Sequence, residues 1–561
     1  MFGPKTDDRS EFGSATFKRY LNMIAPPNAD PDTLAPTTPP QASSSSSPAS
    51  KTSIESSTNT LVASESESDS SPACLYAIRP TPYGGRGAFA NRRIPKGTVV
   101  LDCEAPYASV VCRKFKKEVC VWCFSWCFES GDGTRRKGSW SVRLSVRGEA
   151  GKEKERAWTP WFCSEGCRDR WAGAYAWGGL EGNKGGEGLD ALVDVNATLE
   201  KTLLNYRAAK VKAKSKPANT QKTTLNHPLT HLDSWTAKAN MADVTGESVD
   251  WWWTLAETTT SPGNMKKPGK IMDIMEAWNE VSGDGTEDLL TEYEADCARF
   301  VLDGLVRHAL ETSEGAAAAT STPGTGAGKG SEGVDVDAEE VGNRKTAGRW
   351  PDLLELQDNE LQHVKSRPYM LSCFIRVYLF LKYVVLTARP SRRGNKKSRS
   401  PTPAVVEGEK QADVPEAAAF TSLFDALDGI LEKSESVRAI LARDHGNVFG
   451  IWEKGLDVLD GGEETREEDE DGEMLGWGMY VFGSYFNHDC TPTLKKMQHG
   501  RSLHFTTTRD IEEGEELCIN YIDVSKGNGV VKRNEEVSKG WFFVCGCARC
   551  ERERKELAVT E

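Results

Sequence analysis

Cys545, Cys547 and Cys550 place three thiols within six residues, a C-x-C-x2-C spacing that suits a tetrahedral metal ion. Three ligands leave such a site one short. A fourth must come from elsewhere in the chain, and Cys490, in Asn487-His488-Asp489-Cys490, is the candidate. A second group consists of Cys120-x2-Cys123 and Cys163-x3-Cys167, with Cys112 and Cys127 nearby. Two such pairs can close one four-thiolate site around the long, Gly-rich, charged loop from Phe124 to Phe162. Four thiolates leave no open coordination position, so this site is expected to be structural. Cys74, Cys103, Cys297, Cys373 and Cys518 have no neighbours at ligand spacing and read as ordinary thiols.

The metal reading depends on compartment. Met1 to Ser14 carries early charges and no apolar stretch, so no secretory signal is expected. The fifteen cysteines should then sit in a reducing environment, where close-spaced cysteines bind metal more often than they cross-link. One segment, Tyr369 to Leu386, is apolar enough to suggest a membrane. Arg376 and Lys382 interrupt it well short of the roughly 18 residues that a span requires, so a buried helix and no membrane are expected. The net charge of -13 argues against direct nucleic-acid binding, which draws much of its affinity from phosphate neutralisation, and suits a basic protein partner.

At 561 residues the chain allows two to four domains, or one domain with large insertions. Residues 1–72 are poor in aromatics and rich in Ser, Thr and Pro, a composition that cannot bury enough apolar surface to fold. Gly315 to Gly342, Pro390 to Glu416 and the acidic stretch Gly461 to Gly472 read as loops or linkers. Tyr76 to Val111 reads as strands, with apolar runs such as Thr98-Val99-Val100-Leu101 between Gly and Pro turns. Leu353 to Leu386 and Phe420 to Leu441 repeat apolar residues at helical spacing. Short strands return from Met479 to Val524. The outline is an α+β chain whose β-rich ends are separated by a Cys-rich insert and a long, mostly helical insert.

Four segments in order resemble a known family. Gly85-Arg86-Gly87-Ala88-Phe89-Ala90, then Ile94-Pro95-Lys96-Gly97 and Glu104-Ala105-Pro106, resemble the opening of a SET domain. Phe486-Asn487-His488-Asp489-Cys490-Thr491-Pro492 resembles its Asn-His motif. Thr508 to Leu517, followed by Asn520-Tyr521, resembles its catalytic strand, and Cys545 to Cys550 resembles the post-SET zinc segment. Phe162-Cys163-Ser164-Glu165-Gly166-Cys167, with Cys120 and Cys123, looks like the first zinc site of a MYND finger. The chain therefore resembles the SET-and-MYND subfamily, or a fungal-type relative with a reduced finger. No His lies between Cys167 and Tyr206 to build the finger's second site, so two structural zinc ions are expected in all.

The resemblance implies a split SET β-fold of small twisted sheets with a knot-like C-terminal segment. The expected boundaries are 73–111 and 441–524 for the SET halves, 112–180 for the reduced finger, 181–440 for the helical insert and 525–561 for the post-SET segment. It also implies methyl transfer from S-adenosylmethionine to a lysine of a histone or other protein substrate. Free lysine has a pKa near 10.4, so only about one in 2,500 is unprotonated at pH 7, and such an enzyme needs an apolar, aromatic channel to supply the neutral amine. Tyr521 is the implied catalytic tyrosine. Asn487 and His488 are implied to hold the cofactor through a tight turn, Arg86 and Gly87 to face its carboxylate, and Phe543 to stack near its adenine. Asn447 is the substitute for an Asn that relatives carry where Trp452 stands here.

The rival reading is a catalytically weak SET and zinc scaffold for protein binding. A zinc-dependent transcription factor is disfavoured by the acidic balance and by the lack of a basic recognition helix. A monomer in the nucleus or cytoplasm is expected, with the basic run Arg392 to Arg399 as a possible import patch. Trp251-Trp252-Trp253 implies burial or a partner contact.

Overall fold

The computed structural model describes residues 74–126, 142–143, 158–175, 187–214, 227–261, 268–281, 288–320, 347–389, 422–452, 473–524 and 528–560. The expectations for residues 1–72, Cys127, Pro390 to Glu416, the basic run and residues 461–472 fall outside these. The architecture is α+β, as the sequence pattern indicates.

Twelve short strands are described: β1 (Tyr76–Pro80), β2 (Arg86–Ala90), β3 (Val99–Cys103), β4 (Ser109–Val111), β5 (Val142–Arg143), β6 (Trp161–Phe162), β7 (Val448–Trp452), β8 (Met474–Met479), β9 (Asn487–His488), β10 (Leu494–His499), β11 (Ser502–Thr507) and β12 (Glu516–Ile519). They form sheets in the orders β1-β2-β12-β9, β10-β11-β3, β4-β8-β7 and β5-β6. Each of the first three draws strands from both sides of the long insert. β2 pairs with β12, β3 with β11 and β4 with β8, all antiparallel, while β12 runs parallel to β9.

Local pattern explains the placement of these strands. In β11, Leu503, Phe505 and Thr507 are buried while Ser502, His504 and Thr506 alternate outward, the period of a half-covered sheet. β8 is buried at all six positions because β4 and β7 flank it. Its Gly476 lies so close to β4 that a Cβ there would fall 1.9 Å from the Val110 carbonyl oxygen. The first two sheets share a core that includes Tyr76, Leu101, Phe486, Leu494, Phe505 and Ile519.

Between β6 and β7 the described residues are mostly helical. The stretch from Leu353 to Leu386, apolar at helical spacing, lies in three helices: Trp350–Glu355, Glu360–Ser366 and Tyr369–Ala388. The last break falls at Pro368, which lacks an N–H and disfavours helical backbone at Arg367 before it. Phe420 to Leu441 likewise resolves into Leu423–Ile430 and Glu435–Asn447, the second running past the expected end. Glu292–Thr320 also runs further than expected, into the segment read as a linker from Gly315.

Helix Tyr369–Ala388 is long and apolar enough to cross a membrane, yet 72% of its apolar window is buried. It packs against Glu292–Thr320, Glu187–Lys214, Gly269–Val281 and Leu423–Ile430. Its charges are paired: Arg376 reaches Glu294 at 2.9 Å and Asp233 at 3.3 Å, and the Lys382 ammonium donates to the Tyr378 hydroxyl at 3.2 Å. The tryptophan triplet divides by helical periodicity. Trp252 and Trp253 are buried, Trp253 donates to Glu360 at 2.7 Å, and Trp251 stays 57% exposed.

Candidate active site and metal clusters

The two cysteine groups inferred from spacing each come together as four. Cys490, Cys545, Cys547 and Cys550 form one cluster, and Cys120, Cys123, Cys163 and Cys167 the other, with ligand atoms within 4.8 Å of one another. Sulfur separations are 3.5 Å for Cys490–Cys550 and 3.9 Å for Cys490–Cys545. In the other cluster, Cys123–Cys163 and Cys163–Cys167 are both 3.5 Å. Four sulfurs at about 2.3 Å from a zinc ion would stand about 3.8 Å apart, so both donor sets fit such an ion.

The clusters are built alike. In each, the last two ligands straddle the start of a helix: Cys163 precedes Glu165–Ala174, which contains Cys167, and Cys547 precedes Ala548–Thr560, which contains Cys550. A helix N-terminus offers free N–H groups and a positive dipole end, which favour thiolates. Ser164 caps the first helix by accepting the Cys167 N–H at 3.2 Å. The Cys120–Cys123 turn closes through Phe124, whose N–H bonds the Cys120 carbonyl at 2.9 Å with φ at 62°. Hydrogen bonds between thiols separate their acidities. Cys123 falls to about 4 chiefly because Cys120 donates to it, and Cys547 is lowered in the same way beside Cys490.

The C-terminal cluster connects to Tyr521 through His488. One imidazole nitrogen of His488 lies 3.4 Å from the Cys490 sulfur, and the other accepts the Tyr521 backbone N–H at 3.0 Å. Burial pushes the His488 imidazole down to about 4, which keeps it neutral and able to accept. The Tyr521 hydroxyl donates to the Phe486 carbonyl at 3.0 Å. Its ring lies 5.2 Å from Trp541 and 5.5 Å from His488, and Phe543 packs 6.0 Å from His488. Burial raises the Tyr521 pKa well above its usual value, so the phenol stays protonated. Tyr521 thus stands at the seam between the sheet core and the smaller core of Cys490, Ile522, Val530, Val537, Cys545 and Cys550.

Gly87 on β2 and Asn487 on β9 meet although β12 lies between their strands in the sheet. The Asn487 amide donates to the Arg86 carbonyl at 3.1 Å and to Glu516 at 2.8 Å, and the same Glu516 oxygen accepts the Tyr83 hydroxyl at 2.6 Å. A Cβ on Gly87 would stand 2.4 Å from that oxygen and 2.7 Å from the Asn487 amide nitrogen, so a larger residue would displace both side chains. Arg86 points instead to Glu355, at 3.1 Å, and lies over the Tyr485 ring at 5.1 Å. Asn447 is buried at the end of helix Glu435–Asn447, and its amide donates to the carbonyls of Arg443 at 2.9 Å and Gln357 at 3.2 Å. That leaves it no donor for a ligand. Sequence reasoning missed Glu516, Tyr83 and Trp541. The Glu516 signal was only a strand-start carboxylate, and nothing local marked the other two.

Residues 348–522 match the SET domain family, and that match starts inside the helical region and ends at Ile522. Over 492 residues, 86% of this chain, the sequence is 23% identical to "Potential protein lysine methyltransferase SET6" of Saccharomyces cerevisiae, taking in 96% of that protein. It is 38% identical over 118 residues to "Histone-lysine N-methyltransferase ATXR4" of Arabidopsis thaliana. It is 35% identical over 95 residues to "Protein-lysine N-trimethyltransferase SMYD5" of Homo sapiens. These two matches take in only 35% and 23% of the relatives' lengths, and 20% and 16% of this chain. The chain thus carries a SET-domain match over residues 348–522, with a methyltransferase-type fold and two four-cysteine clusters like those of SET-and-MYND proteins, to which it is distantly and partially similar.

Proposed function

We propose that this protein is an S-adenosylmethionine-dependent protein-lysine N-methyltransferase. The observation that carries the reading is the fixing of Tyr521, by its hydroxyl on the Phe486 carbonyl and by its backbone on His488, against the aromatic rings of Trp541 and His488. A phenol that gives its proton to a backbone carbonyl turns its lone pairs outward. It can accept an N–H of a substrate amine and aim the nitrogen lone pair. The surrounding rings disfavour the ammonium form, so they shift the bound lysine toward the neutral, nucleophilic amine.

Bound cofactor would supply an electrophilic methyl on sulfur and depart as the thioether. Gly87, Asn487, His488 and Phe543 are the residues we assign to hold it, with Arg86 at the rim. Gly87 lets the Glu516 carboxylate and the Asn487 amide close over its strand, and Asn487 ties the Arg86 carbonyl to β9. Two zinc ions would hold the clusters. The C-terminal one acts on the chemistry indirectly, through His488 to the Tyr521 backbone.

Calorimetry with S-adenosylmethionine should show saturable binding. Radiolabel transfer to a protein extract should follow, and Tyr521→Phe should cut it about 100-fold while binding stays within about threefold. Absence of cofactor binding at high concentration refutes the enzyme and leaves the scaffold reading. Metal analysis should return about two zinc ions per chain, one for each cluster.

A further inference from the structure

Helix Val530–Trp541 turns a stripe of Val530, Arg533 and Val537 inward, and all three are buried. Two of them are apolar. The third is a guanidinium whose side chain is 1% exposed, a position that an arginine occupies only with strong partners. Its partners are sulfurs. Arg533 Nε donates to the Cys490 sulfur at 3.3 Å and Nη2 to the Cys550 sulfur at 3.4 Å. Nη2 also meets Glu553 at 2.8 Å, and Nη1 donates to the Asn528 carbonyl. Glu553 in turn holds Arg549 at 2.8 Å, and Arg549 donates to the Cys490 carbonyl at 3.2 Å.

We propose that Arg533 is a built-in part of the C-terminal metal centre, the cation that neutralises and caps the Cys490 and Cys550 thiolates. It rests on the reading that these four cysteines hold zinc. A divalent ion among four thiolates leaves two negative charges in a buried site, a state too costly without a compensating cation. Arg533 supplies that cation in the geometry the site requires, two N–H groups of one planar fork reaching two ligands at once. An N–H···S bond also draws electron density from the sulfur and weakens it as a nucleophile. That protection has a chemical purpose here, because the centre lies one imidazole away from the tyrosine proposed to work beside a methylating sulfonium. Cys545 and Cys547 receive no bond from Arg533. Cys545 has the Asn534 side chain on its backbone N–H at 2.8 Å instead.

The test uses the full-length, metal-loaded protein. Zinc release is followed with a chromogenic chelator, with and without iodoacetamide, and alkylated cysteines are mapped by mass spectrometry. Arg533→Gln should release the C-terminal zinc about 10–100-fold faster than wild type, the range for losing a group that orients metal ligands. Alkylation should spread to Cys490 and Cys550. Arg533→Lys, which keeps the charge but loses the fork, should fall between the two and serves as the readout if the glutamine variant does not fold. Arg552→Gln, which removes an exposed guanidinium from the helix that carries Cys550 without touching a ligand, should release zinc near the wild-type rate. Equal release rates and the same order of cysteine labelling in wild type, Arg533→Gln and Arg533→Lys overturn the proposal. A wild type that carries no C-terminal zinc refutes the zinc reading itself, and that content is measured first.

Discussion

The two four-cysteine clusters share a plan and differ in where they sit. In the C-terminal cluster Cys490, Cys545 and Cys550 are buried, and its surroundings form a small core with Ile522, Val530 and Val537. In the N-terminal cluster only Cys120 and Cys167 are buried, and Arg170, which reaches the Cys167 sulfur at 3.4 Å, is itself exposed. The first cluster takes its ligands from both sides of Tyr521, since Cys490 precedes the tyrosine and the other three follow it. The second takes all four from one insert and touches the sheets through a docking contact. Arg501, in the β10–β11 turn, lies 4.5 Å over the Trp122 ring and donates to the Trp122 carbonyl at 3.3 Å. The same thiolate chemistry therefore serves a core in one place and an appendage in the other.

The largest effect should come from removing one ligand from each. Cys550→Ser is expected to lose the C-terminal metal together with the small core, because metal binding in such a segment is folding free energy. A loss of about 3–5 kcal/mol in urea unfolding, with the Tyr521 fluorescence environment changed, is the expected outcome. Cys163→Ser should release the other ion yet shift the main unfolding transition by less than about 1 kcal/mol. Equal losses in the two variants would break the distinction between core and appendage.

Next in size is the seat beside the tyrosine. Gly87→Ala places a methyl 2.4 Å from a Glu516 oxygen and 2.7 Å from the Asn487 amide, so both side chains must turn away. Overpacking of this kind costs about 1–3 kcal/mol. Calorimetry should show S-adenosylmethionine affinity falling at least about tenfold while zinc content is unchanged. Arg501→Ala tests the appendage. It removes a cation–ring contact and a hydrogen bond, together worth about 1–2 kcal/mol. Proteolysis around residues 120–126 should rise, with the C-terminal zinc retained.

Much of this contrast is readable in the sequence, and the reason is range. Metal ligands at C-x-C-x2-C and C-x2-C spacing are constrained by a few bonds of chain, so both groups show before folding is considered. The period-2 alternation of β11 is equally local. Where partners come from far away the signal fades. Arg533 stands in Lys532-Arg533-Asn534-Glu535-Glu536, which reads as a solvated helix face, and only the Val530 and Val537 spacing reveals that it points inward. Asn447 was chosen for its nearness to a motif, but the helix end that it closes was not visible in the pattern. Gly87 stands in a Gly-Arg-Gly-Ala run that is legible in the sequence. The groups that approach it, Asn487 and Glu516, are brought by strand pairing across the insert.

The smallest effect concerns the helices that back the C-terminal cluster. His363 is buried, its ring 4.7 Å from Phe542 and 4.5 Å from His445, and among the described residues neither ring nitrogen has a hydrogen-bond partner. Burial first, and then the neighbouring His445 and Arg367, push its pKa down to about 2, and burial holds His445 near 4. An imidazole depressed below its unfolded value of about 6.5 contributes stability that is present above that pH and is lost as pH falls through the window down to its folded value. Asp444 works the other way. Its carboxyl, pushed up to about 7 by burial, becomes easier to bury as the pH drops, so the wild-type profile alone is ambiguous. The difference between two proteins removes that common term. His363→Leu deletes two unpartnered nitrogens and should gain about 1 kcal/mol at pH 7. That advantage should widen as pH falls from 6.5 to 4, in urea melts taken at half-unit steps. A constant difference across that range would mean that His363 is not the neutral, buried group its surroundings require.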